Sequence, residues 1–242
     1  MGEQMIFNQS EFDLRCEWGE QGVTQLSASS HAMIIVDVLS FSTCVEIATN
    51  KGAIVFPYRW RDESAQVYAQ AVKAELASRD RAAKFSLSPA SLMQIPAGTR
   101  LVLPSPNGST LTLSTGQTPT LTGCLRNCAA IARFAQTYGS KVSVIPAGER
   151  WPDGSLRPAW EDLIGAGAIL SYLDGCRSPE AEAAIAAFQQ AKTHLGNALK
   201  QCSSGKELIA RGFGADVELA GTLNASDCVS LLLNGAYVKQ HN

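Results

Sequence analysis

Three short apolar runs in this chain each end in a knot of small residues bearing hydroxyl, amide or carboxylate groups, and this repeat limits the fold more than any other feature. Residues 33–38 (MIIVDV) lead to Ser40, Ser42 and Thr43. Residues 101–103 lead to Ser105, Asn107, Gly108, Ser109 and Thr110, and residues 142–145 lead to Gly148 and Glu149, with Glu161 and Asp162 following. A β-branched run, a polar loop and then a helical pattern read as strand, loop and helix. Repetition of that unit predicts an α/β fold of alternating strands and helices. In such folds the loops at the carboxyl ends of parallel strands are where ligands bind.

The rest of the chain fills in around these units. Residues 4–15 and 23–28 read as short strands, joined across 18–22. Residues 42–50 read as a helix closed by Gly52, and 53–58 as a strand. Asp62 is placed to cap a helix running to about residue 78. Residues 81–98 read as loop, broken by Pro89 and Pro96. The second half repeats the grammar: a weak strand at 120–124, helices at 127–138 and 159–173, and a long helix over 178–202 opened by Pro179. A short helix at 207–211 and a closing hairpin at 229–238, turning on Asn234 and Gly235, complete the pattern.

Composition removes several function classes. With 17% charged residues and a net charge of −2 over 242 residues, the chain has no basic stripe for nucleic acid. No apolar stretch approaches the roughly 18 residues of a membrane span. The acidic start lacks the basic and apolar regions of a secretion signal, so the expected compartment is the cytoplasm. The seven cysteines are scattered and expected to be reduced. Cys124 and Cys128 have no second pair or nearby His to make a zinc set. There is no nucleophile elbow, no phosphate-binding P-loop and no dinucleotide fingerprint. His31, His194 and His241 sit in no motif, which argues against a histidine base.

The candidate residues each carry two readings. Asp37 closes an apolar strand, either as a metal ligand or catalytic carboxylate, or as a helix cap. Ser40, Ser42 and Thr43 precede a helix, where they bind an anion or simply cap. Asn107 and Gly108 form an anion-binding loop or a plain hairpin turn. Glu161 and Asp162 open a helix, complementing its dipole or binding a divalent cation together with Glu149. Arg126 and Asn127 hold an oxyanion or lie in a solvated turn.

Taken in order, IIVDVLSFSTC, LPSPNGST, TGCLRNCAAIA, PAGERW with WEDLIGAGAI, and SSGKELIARGFGADVELAGTL resemble the 2-phosphosulfolactate phosphatase family, over residues 34–223. The resemblance implies a magnesium-dependent phosphatase that hydrolyses 2-phosphosulfolactate to sulfolactate and phosphate, a step towards coenzyme M. It implies two related, intimately packed α/β halves: 1–115 with Asp37 and the Asn-Gly loop, and 116–242 with Glu161 and Asp162. Residue by residue it implies catalytic roles for Asp37 and Glu161, with Asp37, Glu161 and Asp162 holding Mg²⁺. It implies contacts to the phosphoester from Ser40, Ser42, Thr43, Asn107, Gly108, Ser109, Asn127 and Gly148, while Gly205, Gly212, Asp216 and Val217 match the last motif. Where the family pattern commonly has arginine, this chain has Ser40 and Thr110. Arg126 is the expected compensating charge, with Arg59 and Arg61 as alternatives. The expected partner is a small anionic phosphoester; the oligomeric state stays open. Two rivals remain: a noncatalytic anion-binding member of the same fold, and a phosphatase for another metabolite.

Overall fold

A nine-stranded mixed sheet organises residues 6–240, the part of the chain that the computed structural model describes. Its strands are β1 (Leu14–Cys16), β2 (Ala32–Val36), β3 (Ile54–Tyr58), β4 (Glu75–Leu76), β5 (Arg100–Pro104), β6 (Thr120–Thr122) and β7 (Val142–Pro146). A separate two-stranded ribbon, β8 (Glu149–Arg150) and β9 (Leu156–Arg157), precedes β10 (Val229–Leu233) and β11 (Ala236–Gln240) of the main sheet. The order is β1-β7-β2-β6-β10-β11-β3-β5-β4.

β1, β7, β2 and β6 form one parallel block, and β3, β5 and β4 another. The β10–β11 hairpin joins them, antiparallel to both. That hairpin reverses the strand direction, so in a flat sheet the carboxyl ends of β2 and β5 would lie at opposite edges. Five steps separate β2 from β5, and at roughly 20–25° of twist per step they turn through about 100–125°. The coiling brings the two ends together: Gly108 N, just after β5, donates to Asp37 Oδ2, just after β2, at 2.9 Å.

β2 is buried along its whole length because both faces are covered. Ile34 and Val36 pack towards α6 (Cys128–Ala135), α7 (Trp160–Leu170) and α8 (Pro179–Ala191). Met33 and Ile35 pack towards α1 (Gly19–Leu26) and Leu111 of α5 (Gly108–Thr112). A third cluster joins Phe41 and Val45 of α2 (Phe41–Asn50) to Val55, Leu101, Leu103 and Tyr237. No helix among the described residues is long and apolar enough to cross a membrane.

The fold is α/β, and several local expectations change. Residues 19–26 form α1 rather than contributing to a strand, because Gly19, Gly22, Val23 and Leu26 share one buried helical face. Residues 4 and 5 lie outside the described part, and within 6–15 only Leu14 and Arg15 are in a strand. Asp62 caps α3 (Glu63–Ala71), accepting from Ser64 N at 3.0 Å, but the helix stops early. Lys73 has φ +52°, which ends it and releases the chain into β4. The loop 81–98 contains one short helix, α4 (Pro89–Leu92). The expected helix over 178–202 is α8 and α9 (Leu195–Gln201), separated by a 3₁₀ turn. It is followed by α10 (Ser203–Ala210) and α11 (Gly214–Ala220). The boundary at residue 115 marks no break in the sheet, since β2 lies between β7 and β6.

Candidate active site

Asp37 stands at the point where β2 gives way to α2, and its carboxylate ties three segments together. Oδ1 accepts from Phe41 N (3.1 Å) in the first turn of α2, while Oδ2 accepts from Gly108 N (2.9 Å) and Ser105 Oγ (3.4 Å). It therefore caps the helix and also anchors the loop after β5. Burial pushes its acidity towards the neutral form, the two backbone N–H donors oppose this, and Glu161 adds repulsion. Gly108 is required for this approach. A Cβ there would lie 2.8 Å from Phe41 Cγ, closer still to Cδ1, and 2.9 Å from Asp37 Oδ2.

Asp162, in the first turn of α7, binds the loop after β7 to the loop after β2. Its Oδ1 accepts from Val38 N at 2.7 Å and its Oδ2 from Gly148 N at 2.9 Å. Gly148 has φ +70°, a conformation glycine adopts without strain. Burial raises the Asp162 carboxyl well above the usual range, with Asp37 and Glu161 adding to the effect. Glu161 is also buried, and borders a neighbouring cavity of about 610 Å³ with Arg157, Trp160 and Cys202.

Glu149 completes the acidic group. Asn107 Nδ2 donates to its Oε2 at 2.8 Å. Burial, and then the nearby Asp37, push the Glu149 carboxyl up to about 7. Asp37, Asn107 and Glu149 face a cleft of about 210 Å³ whose lining also includes Ser40, Ser105, Arg61, Arg81 and Arg211. A smaller space of about 90 Å³ continues past the same three arginines to Arg79. The 610 Å³ cavity is larger, but Asp37 and these arginines are not among its lining residues. Desolvation lowers the Arg61 guanidinium from its usual value; Asp37 counters this, and Arg81 adds like-charge repulsion.

Several expected donors are committed to the protein instead. Ser42 Oγ accepts from Asp37 N (2.8 Å), and Thr43 Oγ1 donates to Val38 O (2.8 Å). Ser109 Oγ donates to Leu103 O (3.0 Å). Asn127 accepts from Cys124 N (2.9 Å) and donates to Cys228 O (2.9 Å). These groups hold strand ends and turns in place. Arg126 is engaged in the same way: its Nε pairs with buried Glu46 Oε2 at 2.6 Å, and its Nη1 donates to Leu219 O and Thr222 Oγ1. It is not among the residues lining the cleft. Arg59 donates to Leu113 O and Ser114 Oγ and is absent from the lining too. Arg61 does line it. Arg81, Arg211 and Ser105 had no assigned role from sequence; Arg81 sits in a loop without any motif, so only the fold reveals it.

The acidic side chains offer hard oxygen donors. Magnesium is typically held by one or two carboxylates, several waters and substrate phosphate oxygens. Among the described residues no three acidic, imidazole or thiol groups converge into a closed cage. Asp37 and Glu149 on the cleft could supply such carboxylates, and a site closed by three protein ligands does not fit the arrangement.

The cleft of this α/β protein brings the carboxylates of Asp37 and Glu149 together with the guanidinium groups of Arg61, Arg81 and Arg211. The chain belongs to the 2-phosphosulpholactate phosphatase family, whose sequence model matches residues 20–235. It is 32% identical over 138 residues to a 2-phosphosulfolactate phosphatase of Methanothermobacter thermautotrophicus, covering 57% of this chain and 58% of that protein. It is 28% identical over 211 residues to a probable 2-phosphosulfolactate phosphatase of Carboxydothermus hydrogenoformans, covering 84% and 87% respectively.

Proposed function

We propose that this protein is a magnesium-dependent phosphomonoesterase acting on a small, multiply anionic phosphoester of the 2-phosphosulfolactate type. The observation that carries the reading is that Asp37, Glu149 and three arginines line one cleft. Hydrolysis of a phosphomonoester is slow chiefly because negative charge repels the nucleophile and the leaving group departs as an alkoxide. The site addresses both difficulties with residues of this chain.

Arg61, Arg81 and Arg211 bind the anionic oxygens and hold the ester in the cleft by charge-assisted hydrogen bonds. Asp37 is the residue that would hold Mg²⁺, with Glu161 adding to the negative field around it. When bound, the ion supplies charge neutralisation and a more acidic water. Glu149, whose carboxyl burial pushes up to about 7 in the metal-free protein, is the group that donates a proton to the departing ester oxygen and regains one from solvent. Asn107 fixes the orientation of that carboxyl through the 2.8 Å hydrogen bond. The products are the hydroxy acid and inorganic phosphate. The family membership supports this reaction class, and the names of the relatives support a sulfonated substrate. The family resemblance also supports a cytoplasmic location.

The test is phosphate release from a panel of phosphorylated hydroxy acids, sulfonated and not, with Mg²⁺ and with a chelator. Metal-dependent release, greatest for a multiply anionic ester, is the expected result. Phosphate binding without release from any ester would instead identify a noncatalytic anion-binding member.

A further inference from the structure

Arg81 enters the cleft from a loop between β4 and α4, and its guanidinium is held on one side only. Nη2 donates to Ser40 Oγ at 2.8 Å and to Asp216 Oδ2 at 2.9 Å. The ring of Phe213 supports it, with the guanidinium carbon 5.4 Å from the ring centroid. Asp216 is itself fixed: its Oδ1 accepts from Ser88 Oγ (2.6 Å) and from Ala90 N (3.0 Å), at the start of α4. The Arg81 side chain is only 12% exposed, and its Nε is buried without a hydrogen-bond partner among the described residues.

A buried guanidinium N–H without an acceptor is costly and uncommon in a folded protein. Both Nη2 hydrogens are used by Ser40 and Asp216, so Nη1 is the nitrogen left to give a phosphoryl oxygen a charge-assisted hydrogen bond. Arg81 also shares the cleft with Arg61, so two like charges face the same small space. An anion between them would remove that repulsion. Asp37 and Glu149 line the same space, which places the reacting end of an ester there.

We infer that Arg81 is the residue that grips the phosphoryl group in this cleft, and that Asp216 and Ser40 position its guanidinium for that contact. The inference rests on the phosphoester reading above and goes further by naming the anchoring cation and its supports. It also accounts for Ser40: a small hydroxyl at this position leaves room for a guanidinium delivered from a different segment.

The test compares the wild type with Arg81→Ala, Arg81→Gln, Asp216→Asn and the double variant Arg81→Ala with Ser40→Arg. Arg59→Ala, outside the cleft, is the control. Calorimetry measures affinity for inorganic phosphate, steady-state kinetics give KM and kcat on the best ester of the panel, and circular dichroism monitors folding. Arg81→Ala is expected to weaken phosphate binding and raise KM by roughly ten- to a hundredfold. Asp216→Asn raises KM with a smaller change in kcat, since the amide still meets Ser88 and Ala90 but loses its charge. The double variant recovers at least part of the phosphate affinity, because position 40 opens onto the same corner. If Arg81→Ala does not fold, Arg81→Gln carries the test, since its amide retains donors to Ser40 and Asp216 without the charge.

A folded Arg81 variant with wild-type phosphate affinity and KM would overturn the inference. If the wild type hydrolyses esters and Arg81 variants match it, the phosphatase reading stands and the role of Arg81 falls. If no variant or wild type hydrolyses any ester, yet phosphate binding depends on Arg81, the anchor stands and the phosphatase reading falls.

Discussion

Replacing Gly108 with alanine perturbs the contact on which the site is assembled. The added methyl would lie 2.8 Å from Phe41 Cγ and 2.9 Å from Asp37 Oδ2. Phe41 has no room to yield: it is fully buried and packs edge-on against Tyr237, with ring centroids 6.2 Å apart. Either the ring shifts within the core or the loop after β5 retreats from Asp37. The first course is overpacking, worth about 1–3 kcal/mol, which in a chain of this size lowers Tm by roughly 2–12 °C. The second lengthens the 2.9 Å hydrogen bond from Gly108 N and leaves a buried carboxylate short of a donor. Losing a hydrogen bond to a charged group costs about 1.5–3 kcal/mol, or roughly ten- to a hundredfold where it positions the reacting carboxylate. Differential scanning calorimetry and steady-state kinetics on the same preparation separate the two. The expected outcome is a lower Tm together with a fall in kcat/KM measured well below that Tm. Wild-type Tm and wild-type kcat/KM in Gly108→Ala would refute the claim that this approach is needed.

Glu149 makes the stability of the metal-free protein depend on pH. Its folded value of about 7 stands above the roughly 4.3 of an unfolded glutamate, so the native state holds the extra proton between those values. Stability therefore falls as pH rises through that window, by something on the order of 3 kcal/mol for this group. Glu149→Gln should flatten the dependence in urea titrations between pH 5 and about 7.5; an unchanged slope counts against it. Arg126→Ala should behave as a folding defect rather than a binding defect. It leaves Glu46 buried with neither oxygen paired, since Oε1 already lacks a partner, and such losses run to about 3–5 kcal/mol. Its folded fraction should keep the wild-type KM, and Glu46→Gln in the same chain should restore part of the stability; a raised KM in folded protein would return Arg126 to the site.

The units that repeat along the chain were legible because burial on both faces of β2 requires a continuous apolar run, which only a few structures tolerate. The closing hairpin was legible for a similar local reason, the Asn234-Gly235 turn between two short runs. The Asn-Gly pair at 107 and 108 shows the limit of such local signals. The same dipeptide opens α5 instead of a hairpin, because Gly108 N is drawn to a carboxylate 71 positions earlier in the chain. Arg126 and Arg81 illustrate the limit for charge. Each sits in a segment whose neighbours give no hint of its partner: Glu46 lies 80 positions from the first, and Asp216 lies 135 positions from the second. The three-arginine wall exists only once the β10–β11 hairpin has reversed one parallel block and the sheet has coiled.

A metal-dependent phosphoester site at Asp37 is tested by phosphate release from 2-phosphosulfolactate by the wild type and by Asp37→Asn, each with and without Mg²⁺, at matched folded concentrations. Turnover by the wild type that requires Mg²⁺ and is lost in a folded Asp37→Asn variant is the result expected. Equal turnover by the two proteins at saturating Mg²⁺ would contradict it.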